Sequence, residues 1–317
     1  MDVSIIIVNW NTRELLLNCL SSVFATAAGL TYETIVVDNG SQDGSSRAVE
    51  EQFPLATIIQ NTVNRGFAQA NNQALARATG RYLLLLNSDA VLTEGSLQGL
   101  VTFMDRTPRA GIAACQYINP DGSKQNSFDN FPTLATELLN KTLLKMLFPG
   151  SYPSKRRNYQ GPLEVDSVIG ACMLVRADAI KEVGRLDENY FFFMEETDWC
   201  FRMRQAGWHI YHLPQVRVYH LQGKSKEKNP AKAWIEYYRS LYIFFKKNRS
   251  SFAYYLLRIG KAFKLIVNTL LVSLGIICTL GRNKGSVRRF HIYGGLLLWH
   301  LRGCPKQEGL AGGDKAS

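Results

Sequence analysis

Asp89 closes an apolar run, YLLLLNSD over residues 82–89, and offers a carboxylate where the run stops. An uninterrupted apolar run bounded by polar residues reads as a buried parallel strand, and open α/β sheets bind ligands at the carboxyl ends of such strands. A carboxylate placed there can hold a divalent cation, or it can simply cap the next helix. Two earlier runs end in the same way. VSIIIVN ends at Asn9 and is followed by Asn11 and Thr12; TIVV leads into Asp38, Asn39, Gly40 and Ser41. If these strands are parallel, three polar turns meet at one sheet edge, and a nucleotide crevice is the natural reading. There is no GxGxxG and no GxxxxGK[ST] run, which counts against an ordinary dinucleotide-binding dehydrogenase and a P-loop enzyme.

A second group of chemically useful residues lies further on. Glu195, Glu196 and Asp198 follow the aromatic run Tyr190, Phe191, Phe192, Phe193. Acids at a helix start can be there only to compensate the dipole. Beside an apolar wall they can also have raised pKa values and act as general bases. His220 ends the run VRVYH; a lone histidine is ordinarily structural unless something else supplies a metal. Gly170 and Ala171 stand between apolar segments and imply close backbone approach, which core packing explains as well as substrate contact does.

The elements that must position these residues follow from periodicity. Strands are expected over 3–9, 34–37, 56–60 and 83–86, with helices between them, the first capped by Thr12 and the third covering 67–78. Strand and helix alternate four times, which specifies a parallel sheet with right-handed crossovers. A helix over 95–104, a strand over 111–118 and a turn at 119–122 come next. Residues 125–161, with Pro132, Pro149, Pro153 and three consecutive basic residues, read as an irregular, mobile insertion. Short strands are expected at 209–211 and 216–219, after a helix that stops at Gly207.

Bulk properties divide the chain. Of its 317 residues, those from 222 onward carry 18 basic and 4 acidic side chains, whereas the preceding 221 carry 19 and 22. A basic segment suits nucleic acid or an anionic membrane surface. No nucleic-acid recognition motif is present, and the same third is rich in apolar runs, so membrane is favoured. Residues 265–280 contain no charge, yet the run is 16 residues, short of the roughly 20 that span a bilayer. Lys261 and Lys264 precede it and Arg282, Lys284, Arg288 and Arg289 follow it. The expectation is a helical region over 226–302 lying in the interface of an anionic leaflet; a hairpin packed on the preceding domain and a true span are the alternatives. Residues 303–317 read as a disordered tail. The N-terminal residues read as a strand rather than a secretory leader, and six cysteines without a CxxC pair fit a reducing compartment.

Seven segments then stand in a recognisable order: SIIIVNWNT, IVVDNGSQDGS, NRGFAQANNQAL, LLLLNSDAVL, GACMLVRADAI, FFFMEETDWCFRMRQAGW and VYHLQGKS. Together they resemble inverting family-2 glycosyltransferases, and most closely the bacterial rhamnosyltransferase-like branch that builds cell-surface polysaccharides. The resemblance covers residues 1–225. It implies a GT-A fold, a Rossmann-like α/β domain that binds a nucleoside-diphosphate sugar and a divalent metal, Mg²⁺ or Mn²⁺. It implies that Asp38 holds the nucleotide base, with Asn9, Asn11, Thr12, Asn39 and Arg65 around it. Asn87, Ser88 and Asp89 replace the family's Asp-x-Asp, leaving Asp89 to share the metal with His220. Glu196 would be the catalytic base, with Glu195 or Asp198 as the alternative. Gly170, Ala171, Glu195 and Trp199 would lie near an acceptor carried on a polyprenyl lipid, at the cytoplasmic face of the membrane.

Overall fold

The computed structural model describes the chain except residues 149, 151–152, 154, 156, 222–229, 306–307 and 311–317. It forms two compact units. The first comprises Met1–Phe131, Ser154–Glu188 and Glu195–Gln222; the second comprises Pro132–Pro153, Asn189–Met194 and the C-terminal helices.

The first unit is built on one mixed sheet. Its opening strands are β1 (Val3–Asn9), β2 (Tyr32–Asn39), β3 (Thr57–Asn61) and β4 (Tyr82–Asn87), alternating with α1 (Arg13–Thr26), α2 (Ser45–Gln52) and α3 (Phe67–Leu75). All four strands are parallel, in the order β3-β2-β1-β4. Side chains alternate across the sheet: Val3, Ile5 and Ile7 face a core shared with Leu16, Leu20, Leu97 and Leu100, whereas Ile6 faces the core of Ala70, Ala74, Ala179 and Trp199. Helix α3 stops three residues before the expected end. The reason is at β1: the amides of Thr79 and Gly80 donate to Ser4 Oγ at 3.1 and 2.8 Å, so the chain must leave the helix to reach β4.

The remaining strands are β5 (Ala90–Leu92), β6 (Ala110–Ile118), β7 (Phe128–Asp129), β8 (Leu163–Glu164), β9 (Ser167–Val168), β10 (Cys172–Arg176) and β11 (His209–His220). The sheet continues β4-β10-β6-β11-β5, and β10 runs antiparallel between β4 and β6. Two short strands were expected over 209–219; β11 is one strand of twelve residues. The expectation still marks a real discontinuity. Leu213 pairs with Cys115 and Arg217 with the next residue, Gln116, so 214–216 form a bulge. Helices α4 (Ser96–Arg106), α7 (Ala177–Val183) and α8 (Glu195–Gln205) complete this unit.

The segment read as an irregular insertion has regular pieces: β7, α5 (Leu134–Leu138) and α6 (Lys141–Leu147), the two helices belonging to the second unit. Thr133 and Thr136 form a capping box at α5, a signal that shows in sequence only as two threonines. The three long helices are α9 (Pro230–Asn248), α10 (Ser251–Cys278) and α11 (Lys284–Leu301). Leu241, Phe244, Phe245, Leu257, Leu296 and Trp299 are buried among them. Polar groups are buried with them: Tyr242 Oη lies 2.6 Å from His300 Nε2, and Lys261 Nζ lies 2.8 Å from Glu137 Oε2. The tail beyond 303 falls partly outside the described residues.

Candidate active site

Strand register brings the first polar turns together. Asn9 is opposite Asp38, and Asn87 is one step away, opposite Val8. Asn9 Nδ2 donates to Ser41 Oγ at 3.1 Å and to Asp38 Oδ1 at 3.4 Å. Thr12 does not cap α1. Its hydroxyl donates to Asn9 Oδ1 at 2.7 Å and lies 2.9 Å from Ser88 Oγ. A hydroxyl has one proton, so Ser88 is the donor in the second contact. This chain of hydroxyls ties the turn after β1 to the turn that carries Asp89. Asn11 adopts a left-handed backbone (φ 53°), and its Oδ1 accepts from the Gln42 amide at 2.8 Å. Asp38 is buried, and Ser46 Oγ donates to its Oδ2 at 2.7 Å.

Asn39 is placed differently from a donor ligand. Its Oδ1 accepts from the Arg65 amide and from Asn61 Nδ2, and its Nδ2 donates to Asn64 Oδ1 and the Gly66 carbonyl. Its hydrogen-bonding capacity is used inside the protein. Asn39 therefore positions the turn that carries Arg65, whose side chain is exposed.

Asp89 Oδ1 lies 3.4 Å from His220 Nε2. The backbone holds the two together, because Ala90 pairs with His220 and the Leu221 amide donates to the Asp89 carbonyl at 2.9 Å. Gln125 settles the tautomer. Its amide nitrogen donates to the His220 carbonyl and to Asn119 Oδ1, so its oxygen, 3.1 Å from His220 Nδ1, must be accepting a proton. With Nδ1 donating to Gln125, Nε2 is the nitrogen left on the Asp89 side and the one that would ligate a metal there. Two residues fit a hard cation that takes its other ligands from a diphosphate and water. Among the described residues there is no group of three or more His, Cys, Asp or Glu that could hold a metal alone.

Glu196 stands on the first turn of α8, and its side chain runs past Gly170, where an added Cβ would sit 3.6 to 3.9 Å from its carbons. Gly170 is thus brought to the candidate base. Ala171 is buried and its carbonyl accepts from the Asn87 amide at 2.9 Å, so it anchors backbone. Glu195 is buried. Asp198 is wholly enclosed and paired with Arg202 at 2.8 Å, which occupies it structurally. Trp199 is also fully buried, its indole N–H donated to the Gly184 carbonyl at 2.8 Å. Its ring packs beneath α8, where it supports the helix from inside the core.

Sequence reasoning missed Tyr117. Its hydroxyl donates to the Ile169 carbonyl and accepts from the Cys172 amide at 3.0 Å, pinning the loop that holds Gly170, while its ring lies 5.5 Å from that of His220. Burial pushes this phenol well above its ordinary pKa, and the nearby Cys115, Cys172 and Glu196 add to the effect. It is a fixed, neutral strut between the metal-side and base-side residues. Gln125 and Ser88 were missed as well. A polar residue after a turn carries no signal that its partner lies 95 residues away.

Polar residues at the carboxyl ends of a mostly parallel sheet, the Asp89–His220 pair and a separate Glu196 make this sheet edge the candidate active site. The fold agrees. The chain is similar to the mannosyltransferase PcManGT of Pyrobaculum calidifontis, solved with GDP-Man and Mn²⁺, with a TM-score of 0.56 at 16% identity over 99% of this chain and 88% of that one. This is the GT-A glycosyltransferase architecture. Residues 4–184 match the family Glycosyl transferase family 2, and the chain belongs to that family. It is similar to the N-acetylglucosaminyl-diphospho-decaprenol L-rhamnosyltransferase of Mycobacterium tuberculosis, 29% identical over 231 residues that cover 68% of this chain and 75% of the relative. It is also similar to the low-salt glycan biosynthesis hexosyltransferase Agl10 of Haloferax volcanii, 27% identical over 225 residues that cover 70% and 67%. The protein is a glycosyltransferase.

Proposed function

We propose that this enzyme transfers L-rhamnose from dTDP-rhamnose, with inversion, to a glycan carried on a polyprenyl lipid at the cytoplasmic face of the cell membrane. The observation that carries the site assignment is the pairing of Asp89 with a histidine whose tautomer Gln125 has fixed. The sugar and the lipid acceptor are carried by the similarity to the mycobacterial rhamnosyltransferase. Membrane placement is argued from the basic charge of the C-terminal third and from α10, whose 28 residues are long and apolar enough to cross a bilayer; the peripheral arrangement is the reading preferred for it.

Asp89 and His220 would hold Mg²⁺ or Mn²⁺. Such an ion, when bound, neutralises charge on the departing diphosphate. The residues around 9–12 and Asp38–Ser41 form the polar edge on which the nucleotide rests. Glu196 accepts the proton of the acceptor hydroxyl as that oxygen bonds to the anomeric carbon. The carbon–oxygen bond to the diphosphate breaks on the opposite face, so one displacement inverts the centre. Glu196 stands on α8, whereas Asp89 lies in the turn between β4 and β5 and His220 ends β11, so base and metal ligands come from different elements.

The test is a thermal-shift titration with dTDP-rhamnose, UDP-glucose, UDP-galactose and GDP-mannose, each with Mn²⁺ or EDTA, on the wild type and Asp89→Ala. Donor at about 100 times its dissociation constant stabilises the folded state by roughly 2.7 kcal/mol. A shift with dTDP-rhamnose that needs Mn²⁺ and vanishes in Asp89→Ala is the expected outcome. A metal-dependent shift with a UDP- or GDP-sugar alone reassigns the donor. A shift that persists in EDTA and in Asp89→Ala removes the metal from the scheme.

A further inference from the structure

Helix α10 is apolar on the side that faces away from its own unit. Phe252, Ile259, Phe263, Leu270, Leu274 and Ile277 are each 59–75% exposed. At about 100° per residue they fall within an arc of about 60°, and from first to last they run about 38 Å along the helix. The charged residues of α10 point elsewhere. Lys261 is buried against Glu137 at 2.8 Å, Lys264 Nζ lies 3.4 Å from the Glu137 carbonyl, and Arg258 lies over the rings of Tyr242 and Tyr254. A helix on a water-facing surface has the opposite arrangement, with apolar residues inward and charges outward. A stripe of this length exceeds the isolated apolar residues that ordinary surfaces carry.

The charge around the stripe identifies what covers it. Residues 251–305 contain eight basic side chains and no acidic one. Arg282, Lys284, Arg288 and Arg289, just past the end of α10, are exposed or nearly so, and none is paired with a carboxylate among the described residues. A second copy of the chain would bring like charges together. An anionic lipid surface supplies both the apolar layer and the opposite charge. The inner side of α10 also argues for the helix lying flat. An added Cβ at Gly260 would meet Leu138 Cδ2 at 2.6 Å, so α5 is pressed against α10 in its N-terminal half, and the Lys261–Glu137 pair seals the contact. A spanning helix would carry that ion pair and α5 to bilayer depth.

We infer that the stripe is a bilayer-docking surface: α10 lies in the plane of an anionic leaflet, with Phe252 to Ile277 at the boundary of headgroups and acyl chains and the basic turn at 282–289 on the headgroups. This rests on the membrane placement proposed above and names the surface responsible, independently of which sugar is transferred.

The test uses the full chain and vesicles of phosphatidylcholine with and without phosphatidylglycerol. Flotation with the anionic vesicles is expected for the wild type, with the bound fraction reduced about tenfold or more in Phe263→Asp/Leu270→Asp. The loss is expected without any change in the donor-induced thermal shift, which reports on the first unit. Undiminished flotation of this variant overturns the proposal. So does a wild-type dimer in vesicle-free solution that the same substitutions dissolve, since a second copy then covers the stripe. Nitroxide labels at positions 259, 270 and 277, in a Cys278→Ser/Cys304→Ser background, separate lying from spanning. One shared depth of about 5–10 Å supports the in-plane helix, and a depth that changes steadily along the series overturns it. Vesicle binding without any donor shift leaves the docking surface standing and removes the transfer assignment instead.

Discussion

A single carboxylate decides the chemistry assigned to this enzyme. Glu196→Gln keeps the side chain's shape against Gly170 and removes its basicity. The expected result is a fall in kcat of about 10²–10⁴-fold with the donor-induced thermal shift retained, read by single-turnover transfer beside a donor titration. Glu195→Gln is the control; a loss confined to that variant would move the base by one residue. Asp38, Asp89, Glu196 and His220 stood out in the sequence because they end apolar runs or open a helix and fall within the resembled motifs. The residues that aim them did not. Gln125, Tyr117 and Ser88 have meaning only through partners across the sheet, and Trp199 and Asn39 looked functional beside a motif although the core and a turn use them completely.

Among the elements, the turn after β2 has little freedom. Gly40 has φ +83°, and a Cβ there would lie 2.8 Å from the Val63 backbone carbon. Gly40→Ala therefore meets both a left-handed backbone and a neighbouring main chain that cannot rotate away. A loss of about 1–3 kcal/mol is expected, with weakened donor binding because Ser41 and the Arg65 turn move together; thermal melts with and without donor measure both. The four opening strands and the three helices between them were readable from periodicity alone; the short β5 that follows β4 was not. The antiparallel course of β10 was not, because CMLVR presents the same apolar run in either direction, and direction is set by pairing with β4 and β6.

The folded chain as a whole carries a buried histidine that costs it stability in acid. Burial, with a smaller contribution from Lys124, pushes His212 from 6.5 down to about 4. The folded state therefore keeps it neutral where the unfolded chain binds a proton. Its cost is absent above about pH 6.5, grows as pH falls toward 4, and then levels off at roughly 3 kcal/mol. Urea midpoints measured from pH 7 to 4 should fall less steeply for His212→Phe than for the wild type; equal slopes would mean that His212 is protonated in the fold.

The bulge at 214–216 has a further meaning for how this enzyme can diversify. It separates the stretch of β11 that closes the core from the stretch that ends at His220, and three unpaired residues lie between two fixed registers. Length changes within those three residues can be absorbed as slack. A change between Arg217 and His220 cannot, because strand side chains alternate and the imidazole would turn to the other face of the sheet. An insertion within the bulge is therefore expected to disturb the site less than a one-residue change between Arg217 and His220.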